Sequence, residues 1–153
     1  MKLTEKDKKE VLKFLGKHKL MSLGTYYREP WAASLYYLFD DEFNFYLVSG
    51  TKTIHAQNIL KNPKVSITIA DSKQDPKGKK IGFQARGIAK AINSAEELKQ
   101  IIIAWNKRGF VPVTYKLFMK AWKSKFYKVR LNKLQMFDEN QTEEKEVRIW
   151  KLS

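Results

Sequence analysis

Alternating apolar and polar positions mark most of the chain beyond residue 20. Three segments with this period of two follow one another, separated by short polar stretches that suit turns: "LMSLGTYY" (20–27), "PWAASLYYLF" (30–39) and "FNFYLV" (43–48). The pattern predicts three consecutive antiparallel strands. In the third, one face carries Phe43, Phe45 and Leu47, and the other carries Asn44, Tyr46 and Val48.

A helical period appears in three other places. Thr4 followed by Asp7 resembles a capping box and opens an amphipathic helix, while Ser94 followed by Glu97 opens another that ends near Gly109. Between them, residues 53–60 predict a short helix that Asn62-Pro63 ends, because the residue before proline is pushed out of helical backbone angles. Pro112 suits the first turn of a further helix.

The remaining alternating segments complete a sheet. They are "KVSITIA" (64–70), a long strand over residues 81–92, "KFYKVRLNKLQMFD" (125–138) and "EVRIWKL" (146–152). Gly82 and Gly87 within the long strand indicate bulges or a close approach by another group. The order of elements predicts an α+β fold, and so many strands in a short chain favour closure into a small barrel with helices outside.

Composition narrows the function classes. The 153 residues, 43% of them hydrophobic, suit one domain spanning 1–153, and the absence of cysteine excludes thiolate zinc sites and cysteine nucleophiles. No apolar run reaches the roughly 18 residues of a membrane span, so we expect a cytoplasmic protein without a membrane segment. The net charge of +14 attracts anions such as nucleic acid or phosphorylated cofactors without choosing among them.

The polar cluster "SGTKT" (49–53) lies between the third predicted strand and the short helix. Hydroxyl groups, a glycine, free N–H groups at a helix start and one ammonium are the ingredients of a phosphate site. An equally economical interpretation is that Thr51 or Thr53 caps the helix and Lys52 is solvated. His55 could donate to the same anion or simply pack, and two isolated histidines, His18 and His55, do not predict a metal site.

Lysines alternate with aromatic residues between Tyr115 and Arg130, as in a nucleic-acid surface. On a helix, however, one face would collect Leu117, Phe118, Ala121 and Trp122, and the other Lys116, Lys120 and Lys123. Ordinary amphipathic packing explains this pattern, so nucleic acid is not an expected partner.

The ordered set of segments resembles the pyridoxamine 5'-phosphate oxidase-like FMN-binding split-barrel superfamily, and within it the YhbP-like branch. The resemblance rests on "PWAASLYYLFD", "FNFYLVSGTKTIHAQNILKNPKVSITI", "IGFQARGIAKAI", "FYKVRLNKLQMFD" and "VRIWKL". It implies a six-stranded antiparallel split β-barrel with flanking helices, and a homodimer with FMN at the interface. It also implies phosphate contacts from Ser49, Thr51, Lys52 and Thr53, and ring contacts from Ala33, Ser34, Leu35, Tyr36 and, more weakly, Gln84.

Departures from the family pattern limit the activity that can be expected. The chain ends "EVRIWKLS" without the family's C-terminal histidine, and Trp31-Ala32-Ala33 stands where the oxidase has an arginine, so oxidation of pyridoxamine phosphate is not expected. The resemblance therefore implies an FMN-dependent oxidoreductase of a small redox substrate, with catalytic residues unassigned and deazaflavin or haem as alternative occupants. The alternatives are a non-catalytic module for flavin or another phosphorylated ligand, and a basic-surface protein that binds acidic partners.

Overall fold

The computed structural model describes residues 1–116 and 123–152. Four helices and eight strands are assigned within those residues. In chain order they are α1 (Glu5–Lys17), β1 (Leu20–Tyr27), β2 (Glu29–Tyr36), β3 (Leu38–Phe39), β4 (Asn44–Gly50), α2 (Ile54–Lys61), β5 (Lys64–Ala70), β6 (Ile81–Ala91), α3 (Ala95–Lys107), β7 (Ser124–Asp138), α4 (Glu143–Glu146) and β8 (Val147–Lys151).

The strands form one antiparallel sheet in the order β2-β1-β5-β6-β7-β4-β3, with β8 paired to β7. β2 and β3 are two unequal parts of one predicted strand that breaks at Tyr37, so the longer part pairs with β1 and the shorter part with β4. Counted this way, six strands curl around the core, and β8 pairs antiparallel with the C-terminal part of β7. The structure therefore confirms the α+β split-barrel fold.

Tyr37 explains the break in the strand predicted over residues 30–39. Its side chain is fully buried, and its hydroxyl donates to the carbonyl of Leu15 at 2.8 Å. Its backbone N–H donates to the carbonyl of Lys19 at 3.2 Å. A tyrosine drawn into the core between two ladders turns the strand from one side of the sheet to the other.

The two faces of β4 meet two different cores, as the alternation in residues 43–48 predicts. Phe45 and Leu47 lie in the barrel interior, where Val11, Phe14 and Leu15 of α1 also pack. Tyr46 and Val48 face outward and contact α3 through a second cluster around Trp105 and Phe126. β4 is therefore packed against apolar side chains on both of its faces.

Glycine at position 87 allows the one register shift in the β6–β7 pairing. The shift falls between Arg86 and Gly87, and Asn132 of β7 is left without a partner on β6. A Cβ at position 87 would overlap the carbonyl oxygen of Arg130 and lie 2.9 Å from its carbonyl carbon. The bulge predicted at Gly87 is confirmed, whereas pairing continues without a shift through Gly82.

The helix starts also agree with the sequence pattern. Thr4 and Asp7 form both hydrogen bonds of a capping box, whereas Ser94 accepts from the Glu97 N–H at 3.3 Å as a simple cap. Of the helix predicted from Pro112, residues 117–122 lie outside the described part of the chain, including Leu117, Phe118, Lys120, Ala121 and Trp122. Lys123 lies in a bend and residues 125–130 belong to β7, so the predicted helical faces do not extend that far.

Candidate functional site

The turn between β4 and α2 is anchored at both ends by backbone hydrogen bonds. The N–H of Thr51 donates to the carbonyl of Lys123 at 2.9 Å, and the N–H of Thr53 donates to the carbonyl of Gly50 at 3.2 Å. Gln57 Nε2 donates to the carbonyl of Thr51 at 2.6 Å. These contacts fix residues 51–53 as a defined loop at the start of the helix.

Thr53 is the N-cap of α2, so one of the two interpretations of its hydroxyl is confirmed. Thr53 Oγ1 accepts from the N–H of Ala56 at 3.3 Å and donates its single proton to the carbonyl of Gly50 at 2.9 Å. That hydroxyl is therefore not available as a donor to a ligand. In the described residues, the N–H groups of Ile54 and His55 have no hydrogen-bond partner, as expected in the first turn of a helix.

Ser49 and His55 are both buried and lie in contact behind the turn. Ser49 Oγ is 2.6 Å from His55 Nε2, and Thr53 Oγ1 is 3.1 Å from each of these atoms. Burial lowers the pKa of His55, since the charged imidazolium loses hydration there. Ser49 thus supports the histidine and does not face solvent, which sequence spacing could not reveal.

The donors that remain for an anion are those of the outer side of the turn. Lys52 is exposed, Thr51 is partly exposed, and neither side chain has a hydrogen-bond partner within the described residues. Together with the two free N–H groups at the α2 start, they combine an ammonium, a hydroxyl and a helix N-terminus. This donor set fits a phosphate group.

The four residues suggested to contact a flavin ring lie together on β2. This strand ends the hydrogen-bonded path of the sheet, so along residues 29–36 only β1 pairs with it. Ser34 and Tyr36 are exposed, whereas Ala33 and Leu35 are partly buried. The ring of Tyr36 lies 5.2 Å from that of Phe110, centroid to centroid. The free backbone edge of β2 offers donors and acceptors to a planar ligand.

The start of β2 lies beside the helix start. A cleft of about 310 Å³ is lined by Trp31 of β2 and by Ile54 and Asn58 of α2. The side chain of Asn58 is held in place because its Nδ2 donates to Thr25 Oγ1 of β1 at 3.0 Å. The structure thus places the start of β2 and the first turns of α2 around one cleft, which residues 49–53 do not line.

Gln84 is farther away. It shares a row with Ser34 across the sheet, through Ser22 of β1 and Thr68 of β5, so two strands separate them. Three strand spacings amount to roughly 14 Å. Gln84 Oε1 accepts from Gln135 Nε2 at 2.8 Å. A ring bound along β2 would therefore reach Gln84 only across β1 and β5.

A second cleft, on the outer face of the sheet, was not anticipated from sequence. It has a volume of about 830 Å³ and its lining includes Tyr26, Trp31, Lys64 and Arg86. These residues come from β1, β2, β5 and β6, and only the strand register brings them together. The cleft could not be located from the sequence pattern, because its lining depends on how all four strands pair.

Two kinds of feature are absent from residues 1–116 and 123–152. No group of three or more His, Cys, Asp or Glu side chains is placed to hold a metal ion. No helix there is long and apolar enough to cross a membrane.

Comparison with known proteins places this geometry in context. Residues 7–127 match the family model described as pyridoxamine 5'-phosphate oxidase. No curated protein matches the chain. The fold is similar to that of Campylobacter jejuni ChuZ, with 16% identity, a TM-score of 0.77 and coverage of 99% of this chain and 61% of ChuZ.

Two other solved structures share the fold. A conserved hypothetical protein of Mycobacterium tuberculosis has 19% identity, a TM-score of 0.71 and coverage of 86% of this chain and 84% of its own. The heme storage protein HutZ of Vibrio cholerae has 17% identity, a TM-score of 0.66 and coverage of 91% and 96%.

Proposed function

The chain belongs to the pyridoxamine 5'-phosphate oxidase family, and from that membership we propose that it is an FMN-binding oxidoreductase of a small redox substrate. The observation that supports this most is the set of free donors at the start of α2, where Lys52, Thr51 and two backbone N–H groups have no protein partner among the described residues. The ordered sequence segments also support the narrower proposal that the chain belongs to the YhbP-like branch.

The proposed site assigns different roles to the residues of the turn. Lys52 would neutralise the phosphate, and the Thr51 hydroxyl and the N–H groups of Ile54 and His55 would donate to it. Ser49 and Thr53 would shape the turn from behind, because their hydroxyls already bond within the protein. The edge of β2 from Ala33 to Tyr36 would lie along the flavin ring.

FMN would supply the redox chemistry through its ring when bound. The protein's own part would be to hold the phosphate, orient the ring and shield it from water. Pyridoxamine 5'-phosphate itself is not the proposed substrate, because the C-terminal "EVRIWKLS" lacks the family's histidine and Trp31-Ala32-Ala33 replaces its arginine.

We propose further that two copies associate through the outer face of the sheet, with FMN at the interface. Large apolar side chains on that face remain exposed: Leu20, Tyr36, Val147 and Ile149. A stable interface buries roughly 800 Å² on each partner, which this broad face can provide. Sedimentation should give about twice the 18.0 kDa chain mass; a monomer at micromolar concentration would contradict the association.

The proposed function can be tested by titrating the purified protein with FMN and with riboflavin, which lacks the phosphate. We expect FMN to bind at least about tenfold more tightly, because a charged hydrogen bond contributes about 1.5–3 kcal/mol. Absence of FMN binding, or equal affinity for the two flavins, would contradict the proposal. Hemin serves as the control for a haem-binding module, and turnover of an electron acceptor with reduced nicotinamide separates an enzyme from a module.

A further inference from the structure

His55 sits at the start of α2 with one ring nitrogen held inside the protein. Its Nε2 is 2.6 Å from Ser49 Oγ and 3.1 Å from Thr53 Oγ1. Only 7% of His55 and 7% of Ser49 is exposed. The ring is therefore fixed in position between the N-cap and the end of β4.

The hydrogen-bond contacts of the His55 ring favour one of its two neutral tautomers. Thr53 gives its only proton to the carbonyl of Gly50, so it can only accept from Ser49 or His55. Three close contacts join Ser49, Thr53 and His55, and Ser49 alone supplies one donor. A proton on Nε2 adds the second donor, so the geometry favours the tautomer with Nε2–H.

The other ring nitrogen is then the atom that can gain a proton. Within the described residues Nδ1 has no hydrogen-bond partner, and it is not one of the fully buried polar atoms without a partner, so it keeps contact with solvent. Protonation at Nδ1 leaves the Nε2 contacts unchanged. Ser49 and Thr53 can therefore hold the ring in both its neutral and its cationic form.

Two features disfavour the protonated ring of His55 when no anion is bound at the site. Burial lowers the pKa of His55, and the positive end of the α2 dipole repels a charge in the first turn. A phosphate at the helix start would reverse the second effect and favour the imidazolium. The sign of this coupling follows directly, because a ligand that favours the protonated ring is itself bound more tightly at lower pH.

The neighbouring titratable groups do not supply the missing countercharge. The elements next to His55 carry Tyr26 and Tyr27 on β1, Arg28 and Glu29 at the β1–β2 turn, Lys52 before α2, Lys61 at its end, and Lys123 and Lys125 near the start of β7. In the part of the chain that the structure describes, none of them forms a hydrogen bond or ion pair with the ring. Most of these groups are cationic, so an added phosphate would be the dominant anion at the site.

We infer that His55 is a positioning residue that couples phosphate binding to proton uptake at Nδ1, so that this protein binds FMN more tightly as the pH falls. This inference rests on the proposed function, since it concerns the same phosphate. It adds a regulatory property, namely that release of the cofactor is favoured as the surroundings become more alkaline.

The test compares FMN affinity at pH 6, 7 and 8 in the wild type and in His55→Gln, which keeps a side-chain donor but cannot become charged. The second proton of a phosphate monoester titrates near pH 6, and this contribution is common to both proteins. We expect wild-type affinity to fall between pH 6 and pH 8 by about 3–10-fold more than that of His55→Gln, since one linked proton gives at most tenfold per pH unit.

A second measurement does not depend on the variant. The ring signals of His55 can be titrated by NMR without ligand and with saturating FMN, and His18→Gln assigns them by removing the other histidine. We expect FMN to raise the titration midpoint of His55. Identical pH dependence in both proteins with an unmoved His55 midpoint would overturn the inference while FMN binding stands, whereas absent FMN binding would overturn the proposed function and this inference together.

Discussion

At the scale of single residues, the turn before α2 divides into residues that shape the site and residues that face outward. Sequence spacing indicated a phosphate-type cluster at residues 49–53, of which Ser49 and Gly50 end β4 and residues 51–53 form the turn before α2. It could not distinguish roles within the cluster, because the burial of Ser49 and its contact with His55 depend on how β4 meets α2. Sequence spacing also could not show that Gln84 lies far from β2, since that distance depends on the order of the strands in the sheet.

The buried ring of His55 makes a prediction about stability in the absence of ligand. Because burial lowers its pKa below the usual 6.5, the unfolded chain binds more protons than the folded protein as the pH falls past that value. The free energy of unfolding should therefore decrease between pH 7.5 and pH 5.5. Urea unfolding should show a smaller decrease for His55→Gln than for the wild type.

Urea unfolding without ligand also distinguishes the contribution of His55 to the free energy of unfolding from the contributions of groups that titrate at lower pH. The carboxylate of Asp7 has a lowered pKa although burial alone would raise it, because hydrogen bonds from Thr4 and the nearby Arg148 outweigh that effect. Its contribution is lost only as the pH falls below 3.8, outside the window used for His55. Equal decreases in the wild type and His55→Gln between pH 7.5 and pH 5.5 would show that the ring does not titrate differently on folding.

At the scale of elements, periodicity and caps were sufficient to locate most helices and strands. They failed where tertiary contacts override the local pattern. The strand predicted over residues 30–39 is interrupted because Tyr37 enters the core, and β3 retains only two residues. The bulge at Gly87 was predictable because glycine in a strand interior is otherwise costly, but the partner that requires it, Arg130, was not.

The close backbone approach of β6 and β7 at Gly87 can be tested by substitution with alanine. Gly87→Ala places a Cβ against the Arg130 carbonyl, so we expect a loss of about 1–3 kcal/mol in the free energy of unfolding. Gly82→Ala in the same strand is the matched control, because its Cβ would have its nearest contact at 3.8 Å, the Ile69 carbonyl oxygen. Urea denaturation measures both. Equal stability of the two variants would mean that β7 can shift to accommodate the methyl group.

At the scale of the whole molecule, the barrel brings the free edge of β2 and the start of α2 to one cleft. Trp31, Ile54 and Asn58 line it. The sequence resemblance predicted the fold, whereas its assignment of Ser49, Thr51, Lys52, Thr53 and residues 33–36 to one ligand stays a prediction. The net charge of +14 agrees with an anionic ligand but does not by itself identify one, because charge acts over the entire surface. The claim that the start of α2 binds a phosphate therefore depends on the local charge of Lys52 and not on the net charge of the chain.

Lys52 is the residue on which that claim can be tested most directly. Lys61, exposed at the other end of α2, is the matched control. FMN and riboflavin affinities should be measured for the wild type, Lys52→Ala and Lys61→Ala. We predict that Lys52→Ala weakens FMN binding by about 3–10-fold, reflecting a charged contact partly screened by solvent, and leaves riboflavin binding unchanged. Equal FMN affinity in Lys52→Ala and Lys61→Ala, or equal losses for both flavins in Lys52→Ala, would contradict a phosphate site at the start of α2.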